Sequence, residues 1–199
     1  SMDRATAAGR TKLAAVQAAA AAFVDRLTAA GGNQVAIVGF NDVAWVEAPL
    51  TADRASLRQA IGRLTPRMAQ GTRLDLALER GGTALASPAR RPENTSVVIL
   101  LTDGLPTRVP TPVPSGSPED SVRAAATRLK QAGVLVYAIG VGQADAPDPA
   151  DRIDAVLLAS VASAPSMYYG AADAESVAAI YGEIARTIPC AVEGFWGRR

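Results

Sequence analysis

The sequence contains no histidine and only one cysteine, Cys190. Without histidine there is no Ser-His-Asp or Cys-His nucleophile system, and most transition-metal sites lose their commonest ligand. One thiol closes no internal disulfide and builds no zinc site. No base is available to activate Cys190, which sits beside Pro189, so it reads as an incidental or packed thiol. Neither sign of charge dominates: 20 Lys and Arg against 19 Asp and Glu leave a formal net charge of +1. There is no basic tract, and aromatics are 5% of the chain, so no nucleic-acid surface is expected. Long apolar runs are missing too. The longest, residues 18–24, lies between Lys12 and Asp25 and is too short to enter a membrane directly. No signal-peptide pattern is read, which leaves the compartment open.

Hydrophobic residues make up 49% of the 199, enough for the core of one domain. Leu13, Val16, Ala20, Phe23 and Leu27 recur at helical spacing, and Gly31-Gly32 ends that helix. A short apolar strand follows at 35–40. Asn41-Asp42 turns it, and 43–46 returns as a hairpin strand. Helices are predicted over 52–64 and from Gly71-Thr72 onward, the latter containing Gly81-Gly82, which either kinks it or allows close packing. Residues 96–101 and 134–139 read as buried strands. Between them lies a proline-rich loop, then Ser117-Pro118-Glu119-Asp120, an N-cap with proline at the first helical position. Asp148-Pro149 is predicted to open a helix, 167–169 a short strand, and Val177 to line the last helix with Ile180, Tyr181, Ile184 and Ile188. Alternating strands and helices imply an α/β fold: a doubly wound, mostly parallel sheet in three layers with one antiparallel edge strand. The domain is read as residues 1–188, with 189–199, including Trp196, as a tail or linker.

Ligands of open α/β sheets bind at the carboxyl ends of strands. Thr102-Asp103-Gly104 and Gly140-Val141-Gly142 lie there, and Thr72 stands near a helix start on the same edge. Asp103 offers a carboxylate and Thr72 a hydroxyl, hard oxygen donors suited to magnesium or manganese rather than zinc. On the residues alone, a helix cap for Thr72 and a turn cap for Asp103 are equally good readings. Gly140 and Gly142 lack the third glycine and the Lys-Ser/Thr pair of a phosphate loop, so they read as a tight strand end. Asp42, Asp145, Asp148 and Asp151 read as caps and solvated charge.

Ile99-Leu100-Leu101-Thr102-Asp103-Gly104, with Pro106-Thr107 beyond, resembles the fourth-strand motif of von Willebrand factor type A domains. Gly71-Thr72 with Leu74 and Ala77-Leu78 is similar to that family's threonine segment. Residues 138–142 resemble its fifth strand, and Tyr168-Tyr169, Ala174-Glu175 and Ile180-Tyr181 its sixth strand and last helix. The likeness runs from about Met2 to Ile188. It implies a non-enzymatic binding module, of bacterial type, with a metal ion-dependent adhesion site. Three loops build that site: an Asp-x-Ser-x-Ser motif after the first strand, a threonine and an aspartate. By resemblance the ligands here are Ser1, Thr72 and Asp103. They would hold Mg2+, or Mn2+ or Ca2+, weakly, because most of the first strand and its motif are absent from this chain. The partner implied is a protein or peptide with an exposed carboxylate, met at a cell envelope or outside the cell. Two other classes are kept: an α/β enzyme handling phosphates or nucleotides, and a structural domain with a dead metal site.

In the family's strand order, 3-2-1-4-5-6, the absent strand belongs between the strands at 35–40 and 96–101. Residues 3–9 are too polar to replace it. The flanking strands are therefore expected to pair directly, to receive a strand from a second copy, or to be joined by a separate piece. Self-association is the expected symptom.

Overall fold

The structure, a computed structural model, describes residues 2–3, 6, 9–29, 31–65, 71–107, 116–146, 148 and 152–188. Ser1, Cys190 and Trp196 lie outside the described residues, as do Asp151 and the whole proposed tail.

Helix α1, Lys12–Ala29, buries Ala15, Ala19, Phe23, Val24 and Thr28. Gly31 and Gly32 follow it at φ 72° and 87°, a left-handed turn that a side chain would strain. Strands β1, Val35–Phe40, and β2, Ala44–Thr51, form the hairpin. The Asn41 side chain accepts from the Val43 amide (3.0 Å) and fixes its turn. The return strand runs past residue 46, where the sequence reading stopped it, to Thr51. Its far half buries Ala48, and Pro49 is tolerated because β2 is an edge strand. Helix α2, Arg54–Arg63, begins two residues later than predicted, capped by Asp53. At its other end the Gln17 amide of α1 donates to the Ile61 and Leu64 carbonyls, 2.7 Å each.

Helix α3 is Leu74–Leu85, strand β3 Val97–Thr102, helix α4 Pro118–Gln131 and strand β4 Leu135–Val141. The glycine pair does not interrupt α3. A Cβ on Gly82 would stand 2.7 Å from Leu129 of α4, so close packing is its role. Helix α5, Ala155–Val161, starts after Asp154, not at Asp148-Pro149. Strand β5, Tyr168–Ala171, follows a 3-10 turn, and helix α6, Val177–Thr187, closes the described fold.

These elements make a three-layer α/β fold. Strands β3, β4 and β5 pair in parallel, and β1 pairs with β2 antiparallel. Helices α3, α4 and α5 cover one face, with Leu78, Val122, Leu129 and Leu158 packed on Leu100, Val136 and Ala138. Helices α1 and α6 cover the other, where Phe23, Tyr181 and Ile184 meet Tyr137, Ile139 and Val141. A third cluster joins α1 and α2 to the hairpin through Val24, Leu57, Ile61 and Ala48. Among the described residues, β1 and β3 share no ladder, so direct closure of the two flanking strands is not what the chain does. No helix among the described residues is long and apolar enough to cross a membrane.

Candidate cation site at the strand ends

Strand β3 is apolar because it is covered on both faces, and the first polar positions after it fall at its carboxyl end. Thr102 and Asp103 are both buried, Asp103 at 7% exposure. The Thr102 hydroxyl brackets the turn, donating to the Gly104 carbonyl (3.2 Å) and accepting from the Gly104 amide (3.3 Å). Asp103 Oδ2 accepts no hydrogen bond from any described residue. A buried carboxylate oxygen normally has a partner, since losing water without one costs several kcal/mol, roughly 1–3 or more.

Thr72 comes from another loop and is brought to the same place. Its amide donates to Thr107 Oγ1 (2.9 Å), and the Thr107 amide donates back to the Thr72 carbonyl (3.2 Å). A Cβ placed on Gly104 would lie 3.6 Å from Thr72 Oγ1, so the hydroxyl faces the Asp103–Gly104 turn. Helix α3 starts two residues later, and its N-cap is Arg73, without a side-chain cap. The helix-cap reading of Thr72 therefore fails. The Arg73 amide donates to the Asn41 carbonyl (2.7 Å), tying the same loop to the β1–β2 turn.

One cation already stands beside the site. Arg73 donates through two nitrogens to the Asp75 carboxylate, 2.8 Å each, and both side chains are largely buried. The hydrogen bond to Asp75 raises the guanidinium further above its ordinary value. Asp75 thus cancels a positive charge that would otherwise repel a metal ion.

The structure sets the Thr72 hydroxyl toward Gly104, the residue after Asp103, while the third expected ligand, Ser1, lies outside the described residues. Among the described residues no three Asp, Glu, Cys or His side chains gather as a metal cluster. The Gly140–Gly142 segment serves packing instead. A Cβ on Gly140 would meet Ile153 and Leu158 at 2.7 and 2.8 Å. Among the described residues, Asp53 and Asp154 cap α2 and α5, and Asp120 closes the capping box of α4. Sequence reasoning missed Asn41, Asp75 and the part played by Thr107. Thr107 stood in the quoted motif, but its backbone exchange with Thr72 leaves no trace in residue type.

A family model, the von Willebrand factor type A domain, matches residues 2–183. Mouse (Mus musculus) matrilin-1 is 34% identical over 140 residues, 67% of this chain and 24% of its own length. The chain thus spans about a quarter of that relative. Among solved structures, the vWF domain of the type V pili tip protein Mfa5 from Porphyromonas gingivalis superimposes with a TM-score of 0.71 at 17% identity, covering 88% of each chain. Proximal thread matrix protein 1 from the mussel byssus, with a zinc-occupied MIDAS motif, gives 0.63 at 22% identity, over 85% of this chain and 39% of that one.

Proposed function

The chain belongs to the von Willebrand factor type A domain family, and we propose that it is a non-enzymatic module that binds a protein through a divalent cation at Thr72 and Asp103. The observation that carries this reading is Asp103 Oδ2, a buried carboxylate oxygen with no donor among the described residues, beside a threonine hydroxyl. A charged and a neutral oxygen suit Mg2+, Mn2+ or Ca2+, and a cation held by them would supply attraction for a partner's carboxylate. Two donors are few for such ions, which take six or more oxygens, so affinity for the metal alone is weak. The partner is a protein or peptide presenting a carboxylate. The likeness to a pili tip protein and a byssus thread protein supports work outside the cell or at its envelope.

Asp103→Asn keeps the shape of the side chain and removes its charge. Mn2+ at millimolar concentration should raise the melting temperature of the parent and leave the variant unmoved. Equal shifts in the two proteins would refute the site.

A further inference from the structure

We propose that the groove between the end of α1 and the start of α2 binds a phosphate group through Arg54 and Arg58. The inference does not rest on the cation reading, because the groove lies at the other end of the sheet. Residues 25–28 come just before β1, on the side where Gln34 meets Ala89 and Arg91 ahead of β3. Asp103 follows β3, at the opposite end.

Four residues line the groove, a hollow of about 470 Å³: Asp25 of α1, and Arg54, Ala55 and Arg58 of α2. Arg54 and Arg58 stand one helical turn apart, so both guanidinium groups meet the same hollow. Each is already held. Arg54 donates through Nη2 to the Thr28 carbonyl near the end of α1 (3.0 Å). Arg58 donates through Nε (2.9 Å) and through Nη2 to the two oxygens of the Asp25 carboxylate. A guanidinium offers five N–H donors. Among the described residues Arg54 commits one of them and Arg58 two, which leaves the larger part of both forks for a ligand.

Charge favours an anion. Helix α2 carries Arg54, Arg58 and Arg63 and no acid, and Arg63 is paired with Glu47 at the far end of the helix. In the groove two guanidiniums face one carboxylate. The hydrogen bond from Arg58 chiefly holds Asp25 below the usual carboxylate range, and the charges of Arg58 and Arg54 add to it. Asp25 therefore stays ionised through the neutral range and occupies Arg58 as an internal stand-in for a ligand. The N-cap Asp53 is close in sequence but does not line the groove. Its carboxylate is engaged by the Ala55 and Ser56 amides and the Ser56 hydroxyl.

Shape selects phosphate. A carboxylate is planar and fills one guanidinium fork, as Asp25 does with Arg58. A phosphate monoester presents three oxygens in a tetrahedral array with a charge of about −1.5 to −2, so it faces both forks together and outweighs the single charge of Asp25. Both arginines are tied before a ligand arrives, so less rotamer freedom is lost on binding. The Arg58 side chain is 60% exposed, and the open mouth admits either free phosphate or a phosphate carried on a larger molecule.

The probe is inorganic phosphate, followed by NMR in metal-free buffer near neutral pH, with ionic strength held constant by chloride. Saturable shifts are expected at millimolar phosphate in the Arg54 and Arg58 side-chain N–H signals and in the amides of residues 53–58. Asp25→Asn removes a competing charge and should tighten binding about fivefold or more, a gain that a misfolded variant could not show. Arg54→Gln combined with Arg58→Gln should weaken binding about tenfold or more. Glycerol phosphate separates the two sources, both of which uphold the site: tighter binding than inorganic phosphate marks an esterified ligand, and weaker binding marks the free ion. Shifts that fail to saturate or that chloride reproduces would overturn the proposal. So would an Asp25→Asn variant that binds no better than the parent, or a double arginine variant that binds as well.

Discussion

At the scale of single residues, Tyr181 shows what burial does to an acid. Its ring stacks on Phe23 at 4.7 Å, and burial pushes its phenol up to about 12. Below pH of about 10 the phenol is neutral in both folded and unfolded chains. As pH rises further the unfolded chain loses a proton that the folded one keeps, so stability falls and the loss is complete near the folded value. The shift corresponds to about 2 to 3 kcal/mol. Tyr181→Phe keeps the stacking and removes the ionisation. Urea unfolding at about pH 9 and about pH 11 should show a clearly smaller loss for the variant than for the parent. A small slope will remain, because burial also raises Tyr168 and Tyr169. Glycines give a second comparison. Gly140→Ala forces a methyl against Ile153 and Leu158, both buried, and should cost about 1–3 kcal/mol. Gly62→Ala adds one in open space on α2 and should stabilise by about 0.5–1 kcal/mol, read from urea midpoints. Of the site itself, Asp103 and Thr72 were legible because a polar residue ending an apolar strand, and a threonine after glycine, leave a pattern. Asp75 and Asn41 were not, because they act on backbone or on a neighbour's charge, and any polar residue type reads the same until the loops are placed.

At the scale of elements, helix starts carry the clearest local chemistry. Ser117 and Asp120 form a capping box on α4: the Ser117 hydroxyl accepts from the Asp120 amide, and the Asp120 carboxylate accepts from the Ser117 amide. Ser117→Ala should cost about 1 kcal/mol. The hydrogen bonds from Ser117 hold Asp120 below the usual carboxylate range. Ser56 does the same for Asp53, and Ser176 for Asp173. Folded values below the unfolded one mean stability that is present above about pH 4 and is lost as pH falls through the depressed values. Far-UV circular dichroism on acid titration should therefore show the α2, α4 and α6 ends loosening below about pH 4, with Ser117→Ala weakening α4 first. Elements with unbroken periodicity, α1, β3, β4 and α6, were legible to within two residues at their starts. Helix α5 was not. Asp148-Pro149 looks like a cap and first turn, but α5 starts only after Asp154, which caps it through the Leu157 amide, and Ile153 (5% exposed) packs beside Gly140. The far half of β2 was hidden because the register shifts between Val35 and Val38 break the simple alternation across the pair.

At the scale of the molecule, the three layers were legible in the sequence, since they follow from which strands are apolar throughout. It did not foretell how the two half-sheets stay in place. They share helices α1 and α3 and a few side-chain ties, but no strand ladder among the described residues. Backbone ladders carry cooperativity across a sheet, and regions linked only by packing and scattered hydrogen bonds open as separate units. The hairpin with α2 should therefore open at a lower free energy than β3–β4–β5, whose central strand is buried nearly throughout. Native-state hydrogen exchange should show two isotherms, with the amides of β1 and β2 merging before those of β4. Gln34 is the lever for testing this, because its one side chain joins the hairpin to the segment before β3 through two hydrogen bonds and lies on the surface. Gln34→Ala should lower the opening free energy of the hairpin by about 1–2 kcal/mol and leave β4 almost unchanged. If the variant lowers β1, β2 and β4 equally, the halves unfold as one unit, and the packing of α1 and α3 alone is enough to couple them.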